Sequence, residues 1–361
     1  MAVLANNKPG PRVLRKLVVE VFFMLLKTKY RGGKEIIFVA LKKAIMTDKI
    51  LILGSSGQIG TDLVDTLRES YGSDNVIASD LRAPSAERLA QGPFETLDAL
   101  DAKGVYDVIK KHGVSQVYHL VAMLSATAEK MPLKGWDLNM QSLFNFLELA
   151  REGHIQKMYW PSSIAAFGPN TPVNDTPQYT VMDPGTVYGI SKLAGELWAD
   201  YYNKKYNCDI RGLRYPGLIS YKTEPGGGTT DYAVDIFHKA AKGEEYSCFL
   251  SENRRLPMMY MPDAIKATIG IMEAPAEQIK IRTSYNVASF SFTPKELSAL
   301  IEQEVPGFST NYRAVDERDL IAAGWPQSID DTEAREHWGW NPDFDLPAMV
   351  KDMIKNLKTL S

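Results

Sequence analysis

From residue 49 onward, short apolar runs alternate with longer stretches whose apolar residues recur three and four apart. Lys49-Ile-Leu-Ile-Leu-Gly54 is an unbroken apolar run closed by glycine, the pattern of a strand buried on both faces. Thr61-Asp-Leu-Val-Asp-Thr-Leu-Arg68 then carries helical spacing, and Asn75-Val-Ile-Ala-Ser-Asp80 reads as a second strand. Phe94-Glu-Thr-Leu-Asp98 predicts a third strand with a helix over 103–112 after it. Ser115-Gln-Val-Tyr-His-Leu-Val-Ala122 predicts a fourth with a helix over 137–151, and Lys157-Met-Tyr-Trp-Pro-Ser-Ser163 a fifth. Strands that alternate with helices imply an α/β fold, a doubly wound parallel sheet with right-handed crossovers.

Length sharpens this. At about 150 residues per domain, 361 residues suggest roughly two. The expected division is a nucleotide domain over 47–214 and a smaller substrate-binding lobe over 215–361, with strands near 256–262 and 282–288 returning to the main domain. Apolar residues at 45% and charged residues at 24% exclude a wholly disordered chain. Two cysteines, Cys208 and Cys248, make no disulfide framework and favour a reducing compartment. Five scattered histidines give no metal-ligand spacing. No run approaches the roughly 20 apolar residues of a membrane-spanning helix.

The net charge of −3 offers nothing to nucleic acid, and it hides an asymmetry. Residues 1–46 hold ten Lys or Arg against two Glu, a formal +8, which leaves −11 for the rest. A basic, acid-poor segment with Leu17-Val-Val-Glu-Val-Phe-Phe-Met-Leu-Leu26 reads as an organelle address, here mitochondrial. Glu20 and the lack of a small-residue cleavage site argue against secretion. The alternative is an extension without function, ending at Met46, which leaves the protein cytoplasmic.

Chemistry begins at the first strand's end, in Gly54-Ser-Ser-Gly57-Gln58-Ile59-Gly60. The first glycine permits a tight turn, the second lets backbone approach a pyrophosphate, and the third lets helix pack on strand. The helix N-terminus then presents amides and a positive dipole end to phosphates. Asp80 follows Gly60 at the spacing of an acid that accepts hydrogen bonds from the adenosine ribose. A carboxylate there repels a 2′-phosphate and favours NAD over NADP, although Arg82 nearby tempers that preference.

Tyr188 and Lys192 stand four apart at the start of a helical run, on one face about a turn from each other. An ammonium held there stabilises phenolate and lowers the tyrosine pKa. Tyr188 can then take a proton from a substrate hydroxyl as hydride leaves the carbon, with Ser163 hydrogen-bonding the same oxygen.

Over 48 to about 355, the chain resembles the extended short-chain dehydrogenase/reductases, whose fold is Rossmann-like. The resemblance rests on the glycine triplet, His119-Leu-Val-Ala122, Asn139, Ser162-Ser163 before Phe167-Gly168, and Tyr188/Lys192. It implies that Ser163 rather than Ser162 is catalytic, and that Asp98 contacts adenine. It also implies that Val121, Ala122, Asn139 and Pro216 help to hold the cofactor. Phe167 stands where relatives often carry tyrosine.

Leu213-Arg-Tyr-Pro216-Gly-Leu218, Gly226-Gly-Gly-Thr-Thr-Asp-Tyr-Ala233, Leu256-Pro-Met-Met-Tyr-Met-Pro-Asp263 and the segment from Trp325 to Trp340 narrow this. They are similar to the subgroup of short-chain-type L-threonine 3-dehydrogenases. That likeness implies NAD-dependent oxidation of L-threonine to 2-amino-3-ketobutyrate, which loses carbon dioxide or passes to a coenzyme A-dependent ligase. Ser125 and Thr230 match substrate positions, and Asp231 can meet the ammonium. The glycine run 226–228 reads as a hinge for a loop over the substrate. A homodimer packed through 137–151 and 188–205 is also implied.

The competing reading is a nucleotide-sugar epimerase or dehydratase, with Arg254 and Arg255 serving a diphosphate. In that reading Met258-Met259-Tyr260-Met261 replaces an Arg-Asp-Tyr-Ile-His-like segment. A non-catalytic dinucleotide sensor is a remote third, since such proteins typically lose the tyrosine or lysine.

Overall fold

The computed structural model describes residues 48–223, 228–313 and 316–360. The address reading of 1–46, and all of the proposed glycine hinge except Gly228, lie outside the described residues.

Six parallel strands form the main sheet in the order β3-β2-β1-β4-β5-β7. They are β1 (Lys49–Leu53), β2 (Val76–Asp80), β3 (Phe94–Thr96), β4 (Val114–His119), β5 (Lys157–Tyr159) and β7 (Ile210–Arg211), with β6 (Ser162–Ser163) falling outside this sheet. Strand order reverses between β1 and β4, the switch point where such sheets bind ligands. Residues of β1 alternate between two cores, as a strand buried on both faces requires. Ile50 and Ile52 join the core under α1 (Gln58–Tyr71), and Leu51 and Leu53 join the core on the opposite face.

Between the strands run α2 (Ala86–Leu89), α3 (Ala102–His112), α4 (Ser125–Lys130), α5 (Pro132–Arg151) and α6 (Val187–Tyr206). Helices α3, α5 and α6 cover the Leu51/Leu53 face. The sequence pattern misses α4, a short helix without a full apolar stripe. The expected fifth strand divides at Trp160-Pro161, because proline has no N–H to give a ladder.

Beyond β7 come β8 (Leu213–Tyr215) and β9 (Gly217–Ile219). Then follow α7 (Tyr232–Ala241), β10 (Tyr246–Cys248), β11 (Leu256–Tyr260), α8 (Met261–Glu273), β12 (Tyr285–Asn286) and β13 (Phe290–Phe292). The chain closes with α9 (Pro294–Glu304), β14 (Thr310–Tyr312), α10 (Glu317–Ala323), α11 (Thr332–Trp338) and α12 (Leu346–Leu360). Strand β8 sits between β6 and β12, while β11 sits between β9 and β13. At Pro216 the chain therefore passes from one sheet to the other. Tyr215 packs in the core shared with α1 and α8, and Ile219 in the core of the smaller lobe with α7, α9 and α12.

Candidate active site

The turn after β1 is built for close approach. Gly54 holds φ +76°, a left-handed conformation that suits glycine, and its amide donates to the Ser79 carbonyl at 3.0 Å. A Cβ on Gly60 would stand 2.2 Å from the Gly54 carbonyl oxygen, so only glycine lets α1 sit this close to the turn. Gly57 caps α1 with no side-chain partner for the first-turn amides. At the end of β2, Asp80 accepts from the Ser56 amide at 3.0 Å and the Leu81 amide at 2.8 Å. Both bonds fix the carboxylate beside the turn, with lone pairs left to accept from ribose hydroxyls. Uncapped amides, a bare turn and a fixed acid fit the pyrophosphate and ribose of NAD.

The expected catalytic residues meet where α6 abuts the turn that follows β6. Thr186 caps α6, its hydroxyl accepting from the Gly189 amide at 3.1 Å, and the Glu129 carboxylate accepts from the Val187 amide at 2.7 Å. A Cβ at Gly189 would lie 2.1 Å from the Ala165 carbonyl oxygen, so the helix seats tightly on that turn. The seating brings Tyr188 into hydrogen-bonding reach of Ser163, whose Oγ also accepts from the Ala165 amide at 3.2 Å. Ser162 faces inward instead and donates to Glu196 Oε1 at 2.5 Å, which leaves Ser163 as the hydroxyl beside the phenol.

Lys192 is buried, and its Nζ donates to the Pro161 carbonyl at 2.7 Å. The ammonium lies 4.3 Å from the centroid of the Trp160 ring and 5.4 Å from that of Tyr188. Burial pulls the Lys192 ammonium down to about 7, opposed by the charge of Glu196. Burial likewise pushes the Tyr188 phenol up to about 12, opposed by its hydrogen bond with Ser163. Burial therefore sets the direction for the phenol, with only the Ser163 bond opposing it, and the expected lowering by lysine is not found in the chain alone.

A cleft of about 270 Å³ joins the two halves. Its lining includes Gly54, Gly57, Gln58, Ile59 and Gly60 of the turn, and Ala122, Ser163, Tyr188, Lys192 and Pro216. Ser125, Thr230 and Asp231 line it as well, and Ser125 Oγ and Thr229 Oγ1 stand 3.4 Å apart. Asp231 Oδ2 accepts from the Gly228 amide at 2.7 Å.

Four expected cofactor residues are not among those lining the cleft. Asp80 sits behind the glycine turn, and exposed Asp98 accepts from the Leu100 amide at 2.9 Å. A Cβ on Gly54 would come within 3.3 Å of the Val121 amide nitrogen. Asn139 braces the site: its Oδ1 accepts from the Met123 amide at 2.7 Å and its Nδ2 donates to Ser191 Oγ at 3.1 Å.

Sequence reasoning missed Leu124, an apolar wall of the cleft without a motif of its own, and quoted the segments holding Tyr215 and Trp325 without giving those two side chains a place in the site. It also missed Glu196 and Arg214, a buried pair beneath the expected catalytic residues, joined at 2.8–3.2 Å. Glu196 repeats the four-residue spacing of Tyr188 and Lys192, which is the signal that was available.

Residues 50–288 match the NAD dependent epimerase/dehydratase family. An uncharacterized epimerase/dehydratase of Staphylococcus haemolyticus is 44% identical over 312 residues, covering 86% of this chain and 98% of its own length. A partial-consensus L-threonine 3-dehydrogenase superposes with a TM-score of 0.84 at 57% identity, covering 86% of this chain and 99% of that one. The holo form of a GalE-like L-threonine dehydrogenase from Cupriavidus necator gives a TM-score of 0.84 at 55% identity, covering 86% of this chain and 100% of that one. The family match spans the glycine turn, the acid of β2 and the Tyr188/Lys192 helix in one register, and this chain is accordingly an NAD-using member of the epimerase/dehydratase family of extended short-chain dehydrogenase/reductases.

Proposed function

We propose that this protein oxidises L-threonine at its 3-hydroxyl with NAD, giving 2-amino-3-ketobutyrate. The observation that carries the reading is the charge pattern of the cleft. Among the described residues that line it, the charged ones are Lys192, whose ammonium lies 5.4 Å from the centroid of the Tyr188 ring, and Asp231. A small zwitterion suits so sparsely charged a lining: Asp231 meets the ammonium, and Ser125 and Thr230 add hydroxyls to the same cleft. A nucleotide diphosphate calls for free cations instead. Arg254 is paired with Asp319 at 3.1 Å, and Arg255 donates to the Ser291 carbonyl at 2.9 Å, both away from the cleft. The methionine run is buried core and carries no weight between the two readings.

Ser163 and Tyr188 hold the substrate hydroxyl between them, and Tyr188 takes its proton as C3 becomes a carbonyl. A phenol at about 12 accepts poorly at neutral pH, so further positive charge is required. Lys192 supplies part of it from beneath. NAD, which the Gly54–Gly60 turn and Asp80 would hold, would supply the hydride acceptor and the positive charge of its oxidised ring. The product, a β-keto acid, loses carbon dioxide readily or is consumed by a coenzyme A-dependent ligase.

A homodimer is part of the proposal. Leu143 and Leu147 of α5 are core, whereas Leu197, Trp198 and Tyr201 of α6 stand 40–58% exposed along one face. Such a row suits a second copy of the chain, and sedimentation of the wild type against W198E tests it. The basic segment 1–46 is proposed as a mitochondrial address, tested by the destination of a fluorescent fusion. Catalysis is tested by NADH formation with L-threonine and, separately, by chromatographic conversion of UDP-glucose, since epimerisation or dehydration of the sugar leaves no net NADH. Turnover with L-threonine and none with UDP-glucose is expected; turnover with UDP-glucose alone refutes the reading in favour of a nucleotide-sugar enzyme.

A further inference from the structure

Beneath the catalytic pair lies a closed polar layer. Glu196 is one helical turn beyond Lys192 on α6 and is 1% exposed. Its Oε1 accepts from Arg214 Nε at 2.9 Å and from Ser162 Oγ at 2.5 Å, and its Oε2 from the Arg214 guanidinium at 2.8 Å. Arg214, on β8, also donates to the Gln178 carbonyl at 2.9 Å and to Asn286 Oδ1 at 3.1 Å. The carboxylate is thereby fixed in one orientation, and its donors include the serine adjacent to Ser163.

We propose that Glu196, held by Arg214, is a positioning residue that keeps the Lys192 ammonium charged, and through it favours phenolate at Tyr188. The inference rests on the dehydrogenase reading, since only proton removal at Tyr188 gives the charge a purpose.

A buried ammonium with one carbonyl acceptor is costly to keep charged, and a nearby carboxylate offsets that cost. The groups facing Lys192 are few. Tyr188 and Glu196 lie on its own helix, and His119 at the end of β4 is held neutral, with a pKa of about 4, by burial. Arg214 on β8 stands beyond Glu196, so Glu196 separates two cations. Removing its charge leaves Lys192 with no counter-charge and with Arg214 unopposed.

The test titrates Lys192 in the substrate-free protein, following the lysine Cε carbon by NMR with the signal identified by its loss in K192R. In E196Q the midpoint should fall by one to two pH units, the size expected of a charge lost about 6 Å away in a partly screened interior. E196Q/R214M, which removes both buried charges and keeps the volume, should fall between wild type and E196Q. It also serves if E196Q alone does not fold. In the pH profile of kcat/KM for L-threonine, the alkaline limb should move down with the midpoint, because the ammonium is lost earlier. A structural role alone lowers kcat/KM equally at every pH. An unchanged midpoint in the folded variants overturns the inference, whether or not threonine is the substrate. A shifted midpoint without threonine turnover in the wild type overturns the functional reading instead.

Discussion

Replacing Lys192 by methionine removes a buried charge while filling nearly the same space. In the folded chain burial draws that ammonium from its ordinary 10.5 to about 7, and unfolding returns it to the ordinary value. Between those limits the unfolded state binds more protons at this residue, so wild-type stability rises with pH by about 1.4 kcal/mol per unit. Below pH 7 the ammonium is charged in both states and the cost of burying it is present in full; above the ordinary value that cost has vanished. The stability of K192M relative to wild type should therefore shrink by about 3 kcal/mol between pH 7 and pH 9.5. Loss of the bond from Nζ to the Pro161 carbonyl, about 1.5–3 kcal/mol, displaces the whole difference curve without altering its slope. Urea unfolding of both proteins at half-unit steps measures the difference, in which every other titrating group cancels. A flat difference across this range means Lys192 titrates alike folded and unfolded, and refutes the burial reasoning.

Y188F should lower kcat with L-threonine by about 10² to 10⁴-fold while NADH binding, read by fluorescence, is retained. S163A should cost about 100-fold in kcat, with a smaller change in KM, because its bond strengthens as the hydroxyl loses its proton. G60A forces a methyl group against backbone at 2.2 Å, so it should lose about 1–3 kcal/mol by urea unfolding and weaken NAD binding at least about tenfold by calorimetry. D80A should weaken NAD about 10- to 100-fold and NADP by less, so the ratio of the two dissociation constants is the decisive reading; an unchanged ratio removes Asp80 from ribose recognition.

The parts of this site legible in the sequence are those that act locally. The Gly54–Gly60 turn, Asp80 at the end of the next strand, and the four-residue step from Tyr188 to Lys192 each declare their geometry through short spacing. The alternation of Ile50, Leu51, Ile52 and Leu53 between two faces follows from an unbroken apolar run. Long-range pairing was not legible. Glu196 lies in a helical stretch where a lone acid is ordinarily solvated, and Arg214 lies on a separate strand; only the fold brings them together. Asn139 was placed correctly in its helix, but its bonds to Met123 and Ser191 depend on how α5 meets α6. The methionines of 258–261 set the chain apart from the epimerase-like segment, and they are buried core. Tyr188 shows the same limit in energetics: spacing foretells a neighbouring ammonium, but not that burial pushes the phenol up.

Trp160 closes the strand that Pro161 interrupts, and its indole lies directly against the Lys192 ammonium. Indole emission shifts colour when a charge beside the ring appears or disappears. The arrangement therefore gives the enzyme an internal optical gauge, because the departure of one proton from Lys192 changes the field across a single buried chromophore. Six tryptophans share the emission, and subtracting the W160F spectrum isolates the one that counts. The acid–base state of the site can then be followed in real time with neither substrate nor turnover.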